Sequence, residues 1–107
     1  MFLTKSDFAD KTWPDQVVAL PEFGGKQVRV KTLTAGEFLR LADLEKRHQG
    51  KSYALWFITA VVDEAGEPLF GEDDIEAVDR LPFSVINCVV DAARAINFVP
   101  AEEAEVN

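Results

Sequence analysis

The segment Tyr53-Ala54-Leu55-Trp56-Phe57-Ile58-Thr59-Ala60-Val61-Val62 is apolar on every side of a helix. A helix without a polar face is one buried all round, so this segment dictates the centre of the core. It covers about half of the roughly 20 residues a helix needs to cross a bilayer, which rules it out as a membrane span. Ser52 is placed to cap its start, and Asp63-Glu64-Ala65-Gly66-Glu67-Pro68 closes it with a turn before the apolar pair Leu69-Phe70. For Trp56 and Phe57 the commoner fate is core. A single small domain nevertheless has difficulty covering such a helix on all faces, and the surplus is surface for a second subunit or a partner.

The flanking sequence supplies the rest of the fold. Residues 1–15 scatter Phe2, Phe8 and Trp13 among Lys, Asp and Thr with no period of a helix or strand, and read as a flexible N-terminal arm. Beyond it, Val17, Val18 and Leu20 lead through Pro21-Glu22-Phe23-Gly24-Gly25 into the strictly alternating Gln27-Val28-Arg29-Val30-Lys31. This is a hairpin pattern, with Val28 and Val30 facing the core and Arg29 and Lys31 facing solvent. Leu33-Thr34-Ala35-Gly36-Glu37-Phe38 then carries a capping box, Thr34 with Glu37, and a staple of Leu33 on Phe38. The amphipathic helix that follows has Phe38, Leu41, Leu44 or Glu45, and His48 on one stripe and takes Gly50 as its C′ residue. Glu72, Asp73 and Asp74 open a short third helix with Ile75, Val78 and Leu81 inward. Pro82 starts a fourth, in which Phe83, Ile86, Val89 or Val90, Ala93 and Ile96 recur at helical spacing and Asn97 caps the end. Residues 99–107 have nothing to bury and read as a disordered acidic tail. The expected fold class is therefore α+β, a short N-terminal β-hairpin followed by about four α-helices and mainly helical, with residues 16–98 as a single domain.

Charge and residue inventory narrow the function. Nineteen Asp and Glu against eleven Lys and Arg give a net charge of -8, which argues against binding to nucleic acid or to an anionic membrane. The excess is uneven: residues 1–51 carry a net +2 and residues 52–107 a net -10. Such asymmetry marks either a solvated face or a surface used against a basic partner. His48, the single histidine, lies at a helix end, where a capping or packing role outweighs general-base chemistry. Cys88 beside Val89 and Val90 reads as a buried, inert thiol, and one cysteine with no apolar leader points to a reducing cytosol. Glu72, Asp73 and Asp74 are adjacent on a helix and so diverge, and no Ca²⁺-binding loop surrounds them. Gly24-Gly25 lacks the spacing of a phosphate-binding loop. No catalytic set, metal site or cofactor emerges, and the chain reads as a binding protein rather than an enzyme.

Three stretches in order, Leu20-Pro21-Glu22-Phe23-Gly24-Gly25 with Val28-Arg29-Val30, Leu33-Thr34-Ala35-Gly36-Glu37, and Val61-Val62-Asp63-Glu64-Ala65-Gly66-Glu67-Pro68-Leu69-Phe70, precede a last helix ending Ile96-Asn97. Over roughly residues 16–98 this order and spacing resembles the tail assembly chaperones of long-tailed, non-contractile bacteriophages. The resemblance implies a small protein of the infected bacterial cytoplasm that holds the tape measure protein, helps recruit tail tube subunits and is absent from the mature virion. It also implies a minor form extended by a translational frameshift, whose extension contacts the tail tube protein; the present chain would be the short form, with self-association as a further property. In that role the helix faces around Trp56, Phe57 and Phe83 would contact neighbouring copies or the client. The carboxylates of Glu72, Asp73, Asp74 and Glu76 would face its basic stretches. Two other classes compete: a structural head–tail connector or tail completion protein, which would persist in virions, and an acidic DNA-mimic inhibitor. The mimic needs a regular exposed double row of carboxylates, whereas Asp63, Glu64 and Glu67 fall in a turn.

Overall fold

The alternating segment forms strand β2 (Gln27–Lys31), which pairs antiparallel with β1 (Asp15–Ala19) so that Val18 lies opposite Val28 and Gln16 opposite Val30. Val18 and Val30 are buried and Val28 packs against the core, as the alternation predicts. Between the strands the chain makes a 3₁₀ turn, Pro21–Phe23, and passes through Gly24 and Gly25 at φ 68° and 83°. The Gly25 N–H donates to the Leu20 carbonyl while the Leu20 N–H donates to the Lys26 carbonyl, a bulge that needs a residue free to take positive φ. The computed structural model describes residues 1–98. The expected acidic tail, residues 99–107, lies outside them.

Helix α2 (Ala35–Arg47) starts on the predicted capping box: Thr34 Oγ1 accepts from the Glu37 N–H at 3.1 Å, and the Glu37 carboxylate accepts from the Thr34 N–H at 2.9 Å. Glu37 also pairs with Lys31, tying the first turn of α2 to β2. Leu41 and Leu44 are its buried face, and Gly50 follows at φ 83°. Helix α3 (Ser52–Ala60) occupies the centre and touches α2, α4 and α5. Ser52 is its first residue rather than its cap, a position that Lys51 holds without a side-chain bond.

The helix predicted to run to Val62 stops at Ala60, and Val61–Val62 becomes strand β3, pairing antiparallel with β2 through Arg29 and Val30. Two β-branched residues favour the pleat, and both environments bury them on all sides, so the apolar pattern cannot separate helix from strand here. The Asp63 carboxylate accepts from the N–H groups of Ala65 and Glu67, and the chain doubles back along β3. There Asp63 N–H donates to Glu67 and Leu69 N–H to Val61. The sheet order is β1-β2-β3.

A 3₁₀ turn at Glu72–Asp74 leads into α4 (Ile75–Asp79), which buries Ile75 and Val78. Helix α5 (Phe83–Asn97) follows Pro82 and lies across β1, β2 and α3. Its buried stripe is Val85, Ile86, Val89, Val90 and Ala93. That stripe corrects two expectations. Phe83 lies off it and is 62% exposed, and Cys88 is exposed rather than buried. The N-terminal segment also departs from expectation: Thr4 and Asp7 form a second capping box over a short helix, α1 (Lys5–Asp10), none of whose residues is buried. The described residues thus form an α+β fold with a three-stranded antiparallel sheet near the N-terminus and five helices.

Candidate partner-binding surface

Helical spacing puts Tyr53 and Trp56 on one face of α3, three residues apart. Around them the fold gathers aromatic side chains from three other places. Phe83, at the start of α5, meets Tyr53 edge-on at 5.4 Å, and the Arg94 guanidinium lies over both Tyr53 (5.2 Å) and Trp56 (5.6 Å). Phe38 from α2 and Phe98 just past α5 stand 6.2 and 5.8 Å from Trp56 and 6.1 Å from each other. The result is a continuous band in which a buried Trp56 forms the floor and the half-exposed rings of Tyr53, Phe38, Phe98 and Phe83 form the rim. Offset and edge-on contacts of this kind hold the rings in fixed orientations, and the stacked guanidinium adds one oriented positive charge at mid-band. Such a surface accepts apolar side chains along an extended line and offers one fixed partner to a polar group among them.

Phe57 faces the other way. It is buried and packs against Phe70 at 5.5 Å, at the floor of a groove of about 390 Å³ lined by Leu20, Phe23, Val28, Leu69, Leu81 and Val85, with Lys26 at its margin. Of the three apolar residues singled out in the sequence, the structure brings Trp56 and Phe83 to one surface through Tyr53 and places Phe57 on another. Sequence reading missed Tyr53, Phe38, Arg94 and Phe98. The signal for Arg94 was present: it is the only cation of α5, set at the flank of the buried stripe one turn after Val90.

The acidic residues are largely engaged within the chain. Glu72 accepts from Arg47 at 3.1 Å and bonds the His48 ring at 3.1 Å. The His48 bond, with the charges of Arg47, His48 and Arg40, holds its carboxyl below the ordinary range despite partial desolvation. Lys51 bonds Asp79 at 2.7 Å and lies 3.8 Å from Glu76, and the Asp79 bond chiefly raises the Lys51 ammonium above its ordinary value. Asp74 accepts from the Gly71 N–H at 2.8 Å and closes the turn before α4. Asp73 is exposed and has no ion pair among the described residues. The cations ending α2 and preceding α3 therefore neutralise much of this cluster. Among the described residues no three His, Cys, Asp or Glu side chains converge as metal ligands, and no helix is long and apolar enough to cross a membrane.

No protein-family profile matches the chain, and no protein of curated function matches it in sequence. Its fold, however, is similar to that of the bacteriophage HK97 tail assembly chaperone, with a TM-score of 0.67 over 89% of this chain and 94% of that one, at 19% identity. The likeness is one of fold, and it extends over nearly the whole of both chains.

Proposed function

We propose that the chain is a non-enzymatic tail assembly chaperone of a long-tailed bacteriophage, acting in the cytoplasm of the infected bacterium and absent from the finished particle. The observation that carries this reading is the fold similarity to the HK97 tail assembly chaperone over 89% of this chain. The client is the tape measure protein, a long helical rod whose apolar stripes need reversible cover until the tube forms. The band from Phe83 through Tyr53 and Trp56 to Phe38 and Phe98 suits that task, because half-exposed rings on a rigid floor bind an apolar helix stripe without unfolding to do so. Many copies, each binding weakly and associating with its neighbours, cover the rod. A frameshift-extended form recruits tail tube subunits. Because Glu72, Glu76 and Asp79 already face Arg47, His48 and Lys51, recognition of basic client stretches falls to Asp73, and the remaining acid keeps the complex soluble.

The test is capture of the tape measure protein of the same phage by the tagged full chain. Phe83→Ser with Tyr53→Ser, confirmed as folded by circular dichroism, is expected to lower capture about tenfold, the loss of a pair of aromatic anchors at one end of the band. Undiminished capture overturns the band as the client surface, and finding the chain by mass spectrometry in purified virions overturns the chaperone role in favour of a structural one.

A further inference from the structure

Residues 52–107 hold two cations, Arg80 and Arg94, among a large excess of Asp and Glu. Arg94 is nevertheless not spent on a carboxylate. It is half-buried, and among the described residues its side chain makes no ion pair, not even with Asp91 one turn earlier on α5. Its charge is directed instead at the rings of Tyr53 and Trp56, 5.2 and 5.6 Å from their centroids. Ring faces attract a guanidinium but supply no oxygen, so the N–H donors of its planar fork are left to water in the free chain and to whatever lies on the band in a complex.

That makes the middle of the band selective. A wholly apolar stripe laid across it strips water from the guanidinium and returns no acceptor, a cost that offsets contact with the rings. A stripe with one carboxylate at that point meets the fork with charge-assisted bonds, and the carboxylate in turn has a fixed cation to offset its own desolvation. A lysine there sets two cations together and is rejected. The spacing suits a helix. Phe83 and Tyr53 lie to one side of Arg94, and Trp56 with Phe38 and Phe98 to the other. Apolar side chains two helical turns apart, roughly 10 Å, reach the two ends, and the residue one turn from each, about 5 Å, comes over Arg94.

We infer that Arg94 is the specificity-determining residue of the band, and that the client segment it selects is an amphipathic helix with apolar residues at i and i+7 and an Asp or Glu between them at i+3 or i+4. This selection rests on the reading of the band as the client surface, and adds to it a signature legible in the sequence of the client.

Three labelled helical peptides of about 20 residues, alike except for Glu, Gln or Lys at i+3 between leucines at i and i+7, are the probes. They are titrated into the full chain carrying Trp13→Phe, in which Trp56 is the remaining tryptophan, with binding read by anisotropy and its place by Trp56 emission. The Glu peptide is expected to bind about tenfold tighter than the Gln peptide, the Lys peptide more weakly than either, and bound peptide to shift the Trp56 emission. The preference for Glu over Gln should vanish in Arg94→Gln and be partly kept in Arg94→Lys, which retains the charge but not the fork. Equal affinity of wild type for the Glu and Gln peptides overturns the selection while leaving the band as an apolar helix surface, and it does so whether or not Arg94→Gln folds. A preference that survives in a folded Arg94→Gln chain overturns it as well. Binding that leaves Trp56 emission unchanged, or no binding by any of the three, overturns the inference together with the band as client surface. A chain cut after Phe98 that prefers Glu when the full chain does not would assign Arg94 to the carboxylates of residues 99–107, and would equally overturn it.

Discussion

Asn97, the last residue of α5, makes a connection that can be broken in two chemically distinct ways. Its Oδ1 accepts from the Leu33 N–H at 2.7 Å, and its Nδ2 donates to the Lys31 carbonyl at 3.2 Å and to the Ala93 carbonyl at 2.8 Å. One amide thus ties the end of α5 to the link between β2 and α2. Asn97→Ala leaves the half-buried Leu33 N–H without its partner, a cost of about 1–3 kcal/mol, and removes two donations worth about 0.5–1.5 kcal/mol each, of which water replaces part. The expected loss is about 2–3 kcal/mol, or roughly 10–20 °C in Tm for a domain of this size. Asn97→Asp keeps the acceptor for Leu33 but faces two carbonyls with a carboxylate at a helix C-terminus, where the dipole disfavours negative charge. It is therefore expected to be at least as destabilising at pH 7. The sign with pH then follows: the folded state raises this carboxyl, so its stability is regained as pH falls through that raised value, because the protonated form donates. Urea unfolding followed by circular dichroism, at pH 7 and near pH 5, measures both. A loss under about 0.5 kcal/mol for Asn97→Ala, or an Asn97→Asp variant as stable as wild type at pH 7, refutes the reasoning.

Three further outcomes are expected. Leu55→Ala, at a fully buried position in the middle of α3, should cost about 3–5 kcal/mol in urea unfolding. Gly25→Ala meets no steric neighbour but forces an L-residue to φ 83°, and should cost about 1–2 kcal/mol by the same measure. Burial alone would raise the Glu37 carboxyl, but the Lys31 ammonium and the N–H and hydroxyl of Thr34 together hold it below its ordinary value of 4.5. Its contribution is present above that value and lost as pH falls through the lower folded one, so Glu37→Gln should show a shallower loss of Tm than wild type between roughly pH 5 and pH 3.

What the sequence made legible was whatever depends on local chemistry. The Thr34–Glu37 box, the alternation in β2 and the paired glycines of the turn each rest on residues close in the chain, and each is found in place. Asn97, expected as the cap of α5, is instead its last residue ahead of the cap Phe98, and it bonds Leu33 and Lys31 far away in the chain. The second capping box, Thr4 with Asp7, was equally legible and was passed over because α1 has no apolar period; it is a helix without a core face. The boundary at Ala60 was not legible, since Val61 and Val62 are buried in either state and only their register against Arg29 and Val30 decides it. Of the band, Trp56 and Phe83 could be named from their type. That Tyr53 and Arg94 join them while Phe57 faces away depends on how α3 and α5 cross, a property no single segment carries. The acidic cluster misled in the same way, because the partners of Glu72 lie at the C-terminal end of α2, in Arg47 and the cap residue His48.

Helix α3 passes into β3 without a loop residue between Ala60 and Val61. There is consequently no joint at which the central helix could turn relative to the outer strand it feeds. Amides from Leu55 to Val62 should exchange with solvent as a single, slowest cooperative unit, whereas α1 and the doubled-back segment around Gly66 open independently. A load applied at the aromatic face would reach the sheet through covalent backbone, as torque on a shaft and not as slippage between packed surfaces.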